Sequence, residues 1–332
     1  MKKIRVAING FGRIGRAFYK VAKKNPEIEI VAVNDLASVD NIKYLLKYDS
    51  VYGMSDLTLD GVEYLSEKDP TKLPWAKLEI DIVVESTGLF TSSDKAQAHI
   101  VAGAKRVVVS APIKDDSMSV IRGATVLMGI NEDKLSTCEI SSNASCTTNA
   151  GSPLLAILDD AIGIEKAVLN TVHAYTASQS IVDGPAKKDM REGRAAAQNI
   201  VPSTTGAAIA VAKVMTQFEG LFDGISIRVP VVAGSIVDVT FIAKKNTSVE
   251  EVNSILKKAA AEDARWKGIF TVTEENLVSS DIKGNPHASI ADLAFTKVVG
   301  GNLVKVLAWY DNEMGYTHTL VRHVIEAGKL TR

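Results

Sequence analysis

Cys146 stands in the stretch SSNASCTTNA, among small hydroxyl and amide residues. The run that follows, TTNAGSPLLAILDD, reads as a helix start leading into apolar residues. A cysteine at or just before a helix N-terminus meets free N–H groups and the positive end of the helix dipole. Both favour thiolate, and the N–H groups can also hold an oxyanion. Packing, a disulfide and a metal ligand are the competing roles. Cys138, the other cysteine, lies eight residues away, which is not zinc spacing, and no metal is expected. A structural disulfide between them is disfavoured in a reducing cytoplasm. Cys138 itself, in TCEIS, reads as inert core inside a strand.

A thiolate nucleophile needs a base. Of the five histidines, His99 falls mid-helix, His318 and His323 fall on the terminal helix, and His287 follows Asn-Pro in a turn. Only His173 ends a strand, beside hydroxyl residues and before a long loop, so it is the candidate base. The alternative is a satisfied polar residue in a strand, because spacing does not establish adjacency. Such a pair suits aldehydes. Sulfur adds to the carbonyl, the tetrahedral adduct can expel hydride, and the thioester left behind stays reactive. Cations complete the picture. Arg194 lies in the long loop, and Arg228 is embedded in the strand SIRVP. A buried arginine is costly alone, so Arg228 either meets an acid or binds an anion. Thr176, Thr205 and Gly206 place donors at element ends, which is phosphate-site chemistry.

The elements that must position these residues begin at the N-terminus. Ile4 to Ile8 is a short β-rich run feeding Gly10-Phe11-Gly12-Arg13-Ile14-Gly15, then a stretch with Ile14, Phe18 and Val21 at helical spacing. A second buried strand, IEIVAVND, ends in Asp35, twenty residues after Gly15. This is the order a dinucleotide site needs. Gly10 permits the tight turn, Gly12 the approach of the pyrophosphate, and Gly15 close helix–strand packing. The helix N-terminus offers its N–H groups to phosphate. Asp35 can accept from ribose hydroxyls and would repel the extra phosphate of NADP, so NAD is the expected cofactor. IDIVVES (80–86) and RVVVS (106–110) read as parallel strands buried on both faces. Ser86-Thr87-Gly88 and Ser110 follow at the strand ends where ligands bind. TVLMGIN (125–131) is a further strand candidate. LTLDGVEY (57–64) alternates around Asp-Gly and reads as an antiparallel hairpin.

After Asn149 the character changes. A strand over 165–176 leads to a loop over 177–201 that is too long for a mere connector. A helix is expected over 204–218. SIRVPVV, SIVDVTFIA, HASIADLAF and LVKVLAWYD predict a mostly antiparallel sheet, covered by an amphipathic helix over 249–262. The fold class is thus α/β plus α+β: a Rossmann-type dinucleotide-binding domain followed by a second, mostly antiparallel-sheet domain.

The bulk numbers agree. The 332 residues suit two domains, and 46% hydrophobic with 23% charged residues predicts a packed globular chain. A net charge of −1 gives no global attraction to nucleic acid or anionic membrane, and no RNA-binding motif is present. No apolar run is long enough to span a bilayer, and the N-terminus lacks secretory features, so a cytoplasmic location is the default.

Taken together, INGFGRIGR, ESTGLF, SNASCTTN, VHAYTASQ, VDGPAKKD, RAAAQNIVPSTTGAA and WYDNEMGY make the chain resemble the phosphorylating glyceraldehyde-3-phosphate dehydrogenases from end to end. The resemblance implies that Cys146 attacks the aldehyde of glyceraldehyde 3-phosphate, with His173 as base and stabiliser of the alkoxide. Hydride passes to NAD, and inorganic phosphate releases 1,3-bisphosphoglycerate. It implies that Ser145, Thr147, Thr205 and Gly206 line the inorganic phosphate site. Thr176 and Arg228 would hold the substrate phosphate, with Arg194 near both sites. Arg13, Ile14, Asp35, Lys68, Ser110 and Asn312 would hold the cofactor. It further implies a homotetramer in which the 177–201 loop packs against a neighbour. The nucleotide domain would span 1–145 and be completed by a C-terminal helix within 311–332, leaving 146–310 as the catalytic domain. Four places depart from the family pattern. Ala150 removes a second thiol near the nucleophile, Met314 replaces a usual tryptophan, Ser178 replaces threonine or aspartate, and RVPVVAGSIVD differs after the arginine. The rival readings are a dehydrogenase for a related phosphorylated aldehyde such as erythrose 4-phosphate, a semialdehyde dehydrogenase, or an RNA-binding module using the nucleotide groove.

Overall fold

The computed structural model describes residues 2–115, 123–186 and 189–331. The chain forms two compact units, Met1–Ser145 with Thr317–Arg332, and Cys146–Tyr316.

In the first unit the strands are β1 (Ile4–Asn9), β2 (Ile28–Asn34), β3 (Tyr48–Asp49), β4 (Gly53–Met54), β5 (Glu63–Leu65), β6 (Ile82–Glu85), β7 (Arg106–Val109), β8 (Ala124–Thr125) and β9 (Ile140–Ser142). Seven of them make one sheet, in the order β5-β2-β1-β6-β7-β9-β8, and every pairing within it is parallel. The strands β6 and β7, IVVE and RVVV, are buried almost throughout, as the apolar runs require. Helices α1 (Arg13–Ala22), α2 (Val39–Lys47) and α3 (Ser93–Val101) join the strands. Trp75, Ile80, Val83 and Ala104 form one core cluster; Val107, Val109, Ile140 and Ala96 form another.

The second unit holds α4 (Cys146–Ile162), β10 (Ile164–Ala174), β11 (Val201–Thr204), α5 (Ala207–Val214), β12 (Phe222–Val229), β13 (Ser235–Ala243), α6 (Val249–Glu262), β14 (Phe270–Thr273), β15 (Ser289–Val299) and β16 (Leu303–Tyr310). Its sheet runs β11-β12-β10-β13-β16-β15-β14, antiparallel except at β10–β12 and β14–β15. Burial alternates along β13 and β16 with period two, so one face is packed and the other is open. On the packed face α4 approaches β10 so closely that a Cβ on Gly151 would lie 2.9 Å from Leu169 Cδ1. A last helix, α7 (Met314–Lys329), returns to the first unit. There Gly328 rests on Ile4, leaving no room for a side chain.

Four expectations need correction. Residues 57–64 do not form a hairpin. The Asp-Gly turn exists, with Val62 N–H donating to Leu59 O, but Thr58 O accepts from the Tyr19 hydroxyl and Leu59 is buried. The arm before the turn therefore packs with Tyr19 of α1, and only Glu63–Leu65 pairs, parallel to β2. Strand structure in 125–131 stops at Thr125, because Asn131 Oδ1 accepts from Leu127 N–H and its Nδ2 donates to Thr125 O, closing a turn. Cys138 is not in a strand. It follows a 3-10 turn over Glu132–Thr137 and is half-buried rather than core. The helix expected over 204–218 begins at Ala207, and a second short turn, Thr216–Phe218, follows it.

Candidate active site

Inward-facing residues of β10 alternate: Leu169, Thr171 and His173 are buried against the α4 side. Cys146 is the first residue of α4. The chain reaches it through Ala144, a non-glycine residue in left-handed conformation (φ 53°), whose N–H donates to Ser142 Oγ. This backbone costs about 1 kcal/mol and holds because the surrounding bonds fix it. With α4 pressed onto β10, Cys146 Sγ lies 3.4 Å from His173 Nε2. The two residues that sequence reading paired as nucleophile and base are therefore adjacent.

β12 runs parallel to β10 in a register that sets Arg228 beside His173. Neighbours in register share a face, so the guanidinium reaches the imidazole: Nη1 is 2.6 Å from His173 Nδ1 and 3.2 Å from Ala174 O. Among the described residues Arg228 forms no ion pair with an acid, and its buried Nε has no partner. Of the two readings open for Arg228, an acid partner is thus excluded among the described residues, and an anion fits. Burial, reinforced by the Arg228 charge, holds the His173 pKa down to about 3, against the raising effect of the Ala174 bond. Burial pushes the Cys146 thiol up, opposed by Arg228 and by hydrogen bonds from the Thr147 N–H and hydroxyl.

Sequence reading missed Tyr310. It is buried at the end of β16, and its hydroxyl bonds Thr147 Oγ1 at 2.9 Å and Thr171 Oγ1 at 2.8 Å. Its ring meets His173 edge-on, with centroids 5.9 Å apart. Burial and the nearby cysteine raise its phenol well above the usual range, so it stays protonated. The signal was present: Val304, Val306, Ala308 and Tyr310 share one face of an alternating strand.

The other anion-site candidates are less gathered. Thr176 Oγ1 lies 3.1 Å from Ser178 Oγ, two residues beyond β10. Thr205 Oγ1 accepts from Ala207 N–H, and Gly206 caps α5 with open space where a Cβ would point. Arg194 pairs with Asp183 at 2.8 Å, both well exposed. Ser145 is half-buried immediately before α4. Among the described residues no hydrogen bond joins Arg194, Thr205 or Gly206 to Cys146, His173 or Arg228.

In the first unit the glycine loop has the shape a dinucleotide needs. Gly10 is at φ 90°, and a Cβ there would strike Thr87 N at 2.6 Å; one on Gly15 would strike Gly10 O at 2.2 Å. A Cβ on Gly12 would meet nothing within 4 Å, so the loop is open on the side where a pyrophosphate would approach. Asp35 fixes the loop by accepting from Phe11 N–H (2.7 Å) and Ala37 N–H (3.0 Å), with further lone pairs left for ribose hydroxyls. Arg13 and Ile14 open α1, and the Arg13 side chain reaches Asp49 and the Tyr52 ring. Ser110 follows β7, its N–H donating to Glu85 O, and Lys68 is exposed after β5. In the second unit Asn312 Oδ1 accepts from Gly234 N–H and the Ser235 hydroxyl, which aims its amide.

Family descriptions agree with both halves. Residues 4–93 match "Glyceraldehyde 3-phosphate dehydrogenase, NAD binding domain", and residues 145–312 match "Glyceraldehyde 3-phosphate dehydrogenase, C-terminal domain". The chain belongs to the glyceraldehyde-3-phosphate dehydrogenase family. It is 46% identical to a glyceraldehyde-3-phosphate dehydrogenase of Streptomyces coelicolor over 98% of each chain. It is 45% identical to one of Geobacillus stearothermophilus over 96% of each, and 45% identical to glyceraldehyde-3-phosphate dehydrogenase 1 of Kluyveromyces lactis over 97% of this chain and 99% of that one. This family member is an NAD-dependent oxidoreductase, and its cofactor is NAD. Among the described residues no helix is long and apolar enough to cross a membrane.

Proposed function

We propose that the chain oxidises D-glyceraldehyde 3-phosphate with NAD and inorganic phosphate to give 1,3-bisphosphoglycerate, a step usable in breakdown or synthesis of sugars. The observation that carries this reading is the 3.4 Å approach of Cys146 Sγ to His173 Nε2 at the start of α4. His173 takes the thiol proton, and sulfur adds to the aldehyde carbon. The protonated Nε2 and the first-turn N–H groups stabilise the oxyanion. Bound NAD supplies the hydride acceptor. As the oxyanion re-forms the carbonyl, the adduct's C–H bond breaks with its electron pair leaving as hydride and the thiol proton stays on His173; Cys146 then carries a thioester, which phosphate attacks with thiolate as leaving group.

Arg228 and Thr176 hold the substrate phosphate in this reading, with Arg194 near it. Ser145, Thr147, Thr205 and Gly206 receive inorganic phosphate. Gly10, Gly12, Arg13, Ile14, Gly15, Asp35, Lys68, Ser110 and Asn312 bind the cofactor. The first unit serves as nucleotide domain and the second as catalytic domain. A homotetramer is the state the resemblance implies, and the exposure of the apolar side chains Ile181, Val182 and Met190 in the 177–201 loop supports it. A cytoplasmic location fits this chemistry. The test is NADH formation from glyceraldehyde 3-phosphate: we expect a rate that requires both NAD and phosphate. A rate that is absent with both supplied, or indifferent to phosphate, would overturn the reading.

A further inference from the structure

The last residues of β2, β1 and β6 are Asn34, Asn9 and Glu85, and the parallel register sets Asn9 opposite both of the others. Neighbours in register share a face, so a polar row crosses three adjacent strands. All three are buried, Glu85 to 1% exposure. Apolar residues would fill this place without the cost of desolvating a carboxylate. Glu85 is nonetheless fully bonded. Asn34 Nδ2 donates to Asn9 Oδ1 at 2.7 Å, and Asn9 Nδ2 donates to Glu85 Oε2 at 2.6 Å. His99 Nε2 of α3 donates to the same oxygen at 3.0 Å. The other oxygen, Oε1, accepts from the Thr87 N–H at 2.8 Å and from the Thr87 hydroxyl. Four donors thus fill the acceptor positions of one carboxylate. The segment that Oε1 holds supports the glycine loop. The Ser86 hydroxyl donates to Gly10 O at 2.6 Å, and a Cβ on Gly10 would strike Thr87 N, so the turn at Gly10 rests on the backbone of Ser86 and Thr87.

We propose that Glu85 is a positioning residue for the cofactor: it holds Thr87, and through the backbone of residues 86–87 it fixes the glycine turn on which the dinucleotide sits. Its two oxygens have different tasks. Oε2 ties the strand ends to α3, where Trp75 in turn fixes His99. Oε1 carries that rigidity outward, to a segment where Thr87 is half-buried and Gly88 and Leu89 are exposed. A segment ordered in advance loses less conformational freedom when the ligand arrives, which favours binding. A neutral amide cannot serve both sides. Glutamine has one oxygen and one NH2 group, so its NH2 must face either the inner donors or Thr87. Leaving the buried inner donors unbonded costs more than freeing Thr87, which is half-buried and can bond water. In Glu85→Gln the amide oxygen therefore settles inward, the fold holds and Thr87 is released. This inference deepens the reading that the Gly10–Gly15 loop binds NAD, and rests on it.

The test is the affinity of the full-length protein for NAD, measured by titration calorimetry in Glu85→Gln, Thr87→Val and the double variant. We expect Glu85→Gln to raise the Kd about tenfold, the weight of a lost charge-assisted hydrogen bond. The kcat at saturating NAD and the KM for glyceraldehyde 3-phosphate should stay close to wild type. Thr87→Val removes only the hydroxyl donor and should raise the Kd by less. Both changes break the same link, so the double variant should bind NAD no more weakly than Glu85→Gln alone. Wild-type affinity in Glu85→Gln, additive effects in the double variant, or a fall in kcat that matches the loss of affinity each overturns the proposal. If Glu85→Gln does not fold, Thr87→Val decides alone, and an unchanged Kd there overturns it. Gly12→Ala separates the two layers. Gly12 sits at φ −64°, and a Cβ there meets nothing within 4 Å, so alanine fits the free protein and obstructs only a ligand. A raised Kd in Gly12→Ala with an unchanged one in Glu85→Gln sinks the positioning role alone. An unchanged Kd in Gly12→Ala sinks the glycine-loop reading beneath it.

Discussion

The two units each bury histidine, and they use it differently. In the first unit every ring nitrogen of His99 and His323 has a compatible partner. Trp75 Nε1 can only donate, so His99 Nδ1 accepts from it at 3.1 Å, and His99 Nε2–H donates to Glu85 at 3.0 Å. His323 Nδ1–H donates to Asn143 Oδ1, and its Nε2 accepts from the Ser141 hydroxyl at 2.8 Å. In the second unit His173 faces a thiol on one side, and a donor and an acceptor contesting one nitrogen on the other. Satisfied histidines hold strands and helices together. His173 instead has a thiol within reach of Nε2, which is what a base for that thiol must have.

Exchanging side chains in the two regions sharpens that contrast. The largest effect belongs to His173→Gln. We expect kcat for NADH formation to fall about 10²–10⁴-fold, the usual weight of a general base, with little change in the urea unfolding midpoint. A variant that keeps near-normal kcat would break the distinction. His323→Leu should do the reverse. It removes the buried imidazole that Ser141 and Asn143 both bond, so unfolding free energy drops by about 1–3 kcal/mol while kcat changes little.

The smallest effect is in the pH dependence. Burial holds His323 at about 3 when folded, against an ordinary value of 6.5. The unfolded chain therefore binds more protons than the folded one between these values. Its stabilising contribution is complete above pH 6.5 and is lost as pH falls toward 3, at up to about 1.4 kcal/mol per pH unit. Urea midpoints measured from pH 7 to 5 should fall less steeply in His323→Leu than in wild type. Parallel slopes would show that His323 is protonated within the fold.

The parts of this molecule that are legible in sequence are the local ones. Gly10, Gly12, Gly15 and Asp35 sit in one strand–loop–helix–strand unit whose geometry follows from neighbours in the chain. Cys146 is legible for the same reason, since a helix start announces itself within a few residues. His173 could be singled out by its place at a strand end, but its distance from Cys146 could not. That depends on Gly151 letting α4 close onto Leu169. The contest over Nδ1 is further from reach, because it needs the parallel register of β10 and β12, elements more than fifty residues apart. The 57–64 hairpin failed because alternation and Asp-Gly are local signals, while the Tyr19 hydroxyl that claims Thr58 O is not local. Tyr310 was readable from the period-two pattern of β16, yet only the fold joins it to Thr147 and Thr171.

The central claim is that Cys146 carries the substrate through a covalent thioester. It is tested most directly by mixing protein, NAD and glyceraldehyde 3-phosphate without phosphate and following NADH at short times, with mass spectrometry of the quenched chain. The account expects a burst of about one equivalent per chain, a phosphoglyceryl adduct on the peptide containing Cys146, and release of that adduct when phosphate is added. A burst of the same size in Cys146→Ser, or NADH formation with no adduct on that peptide, would contradict it.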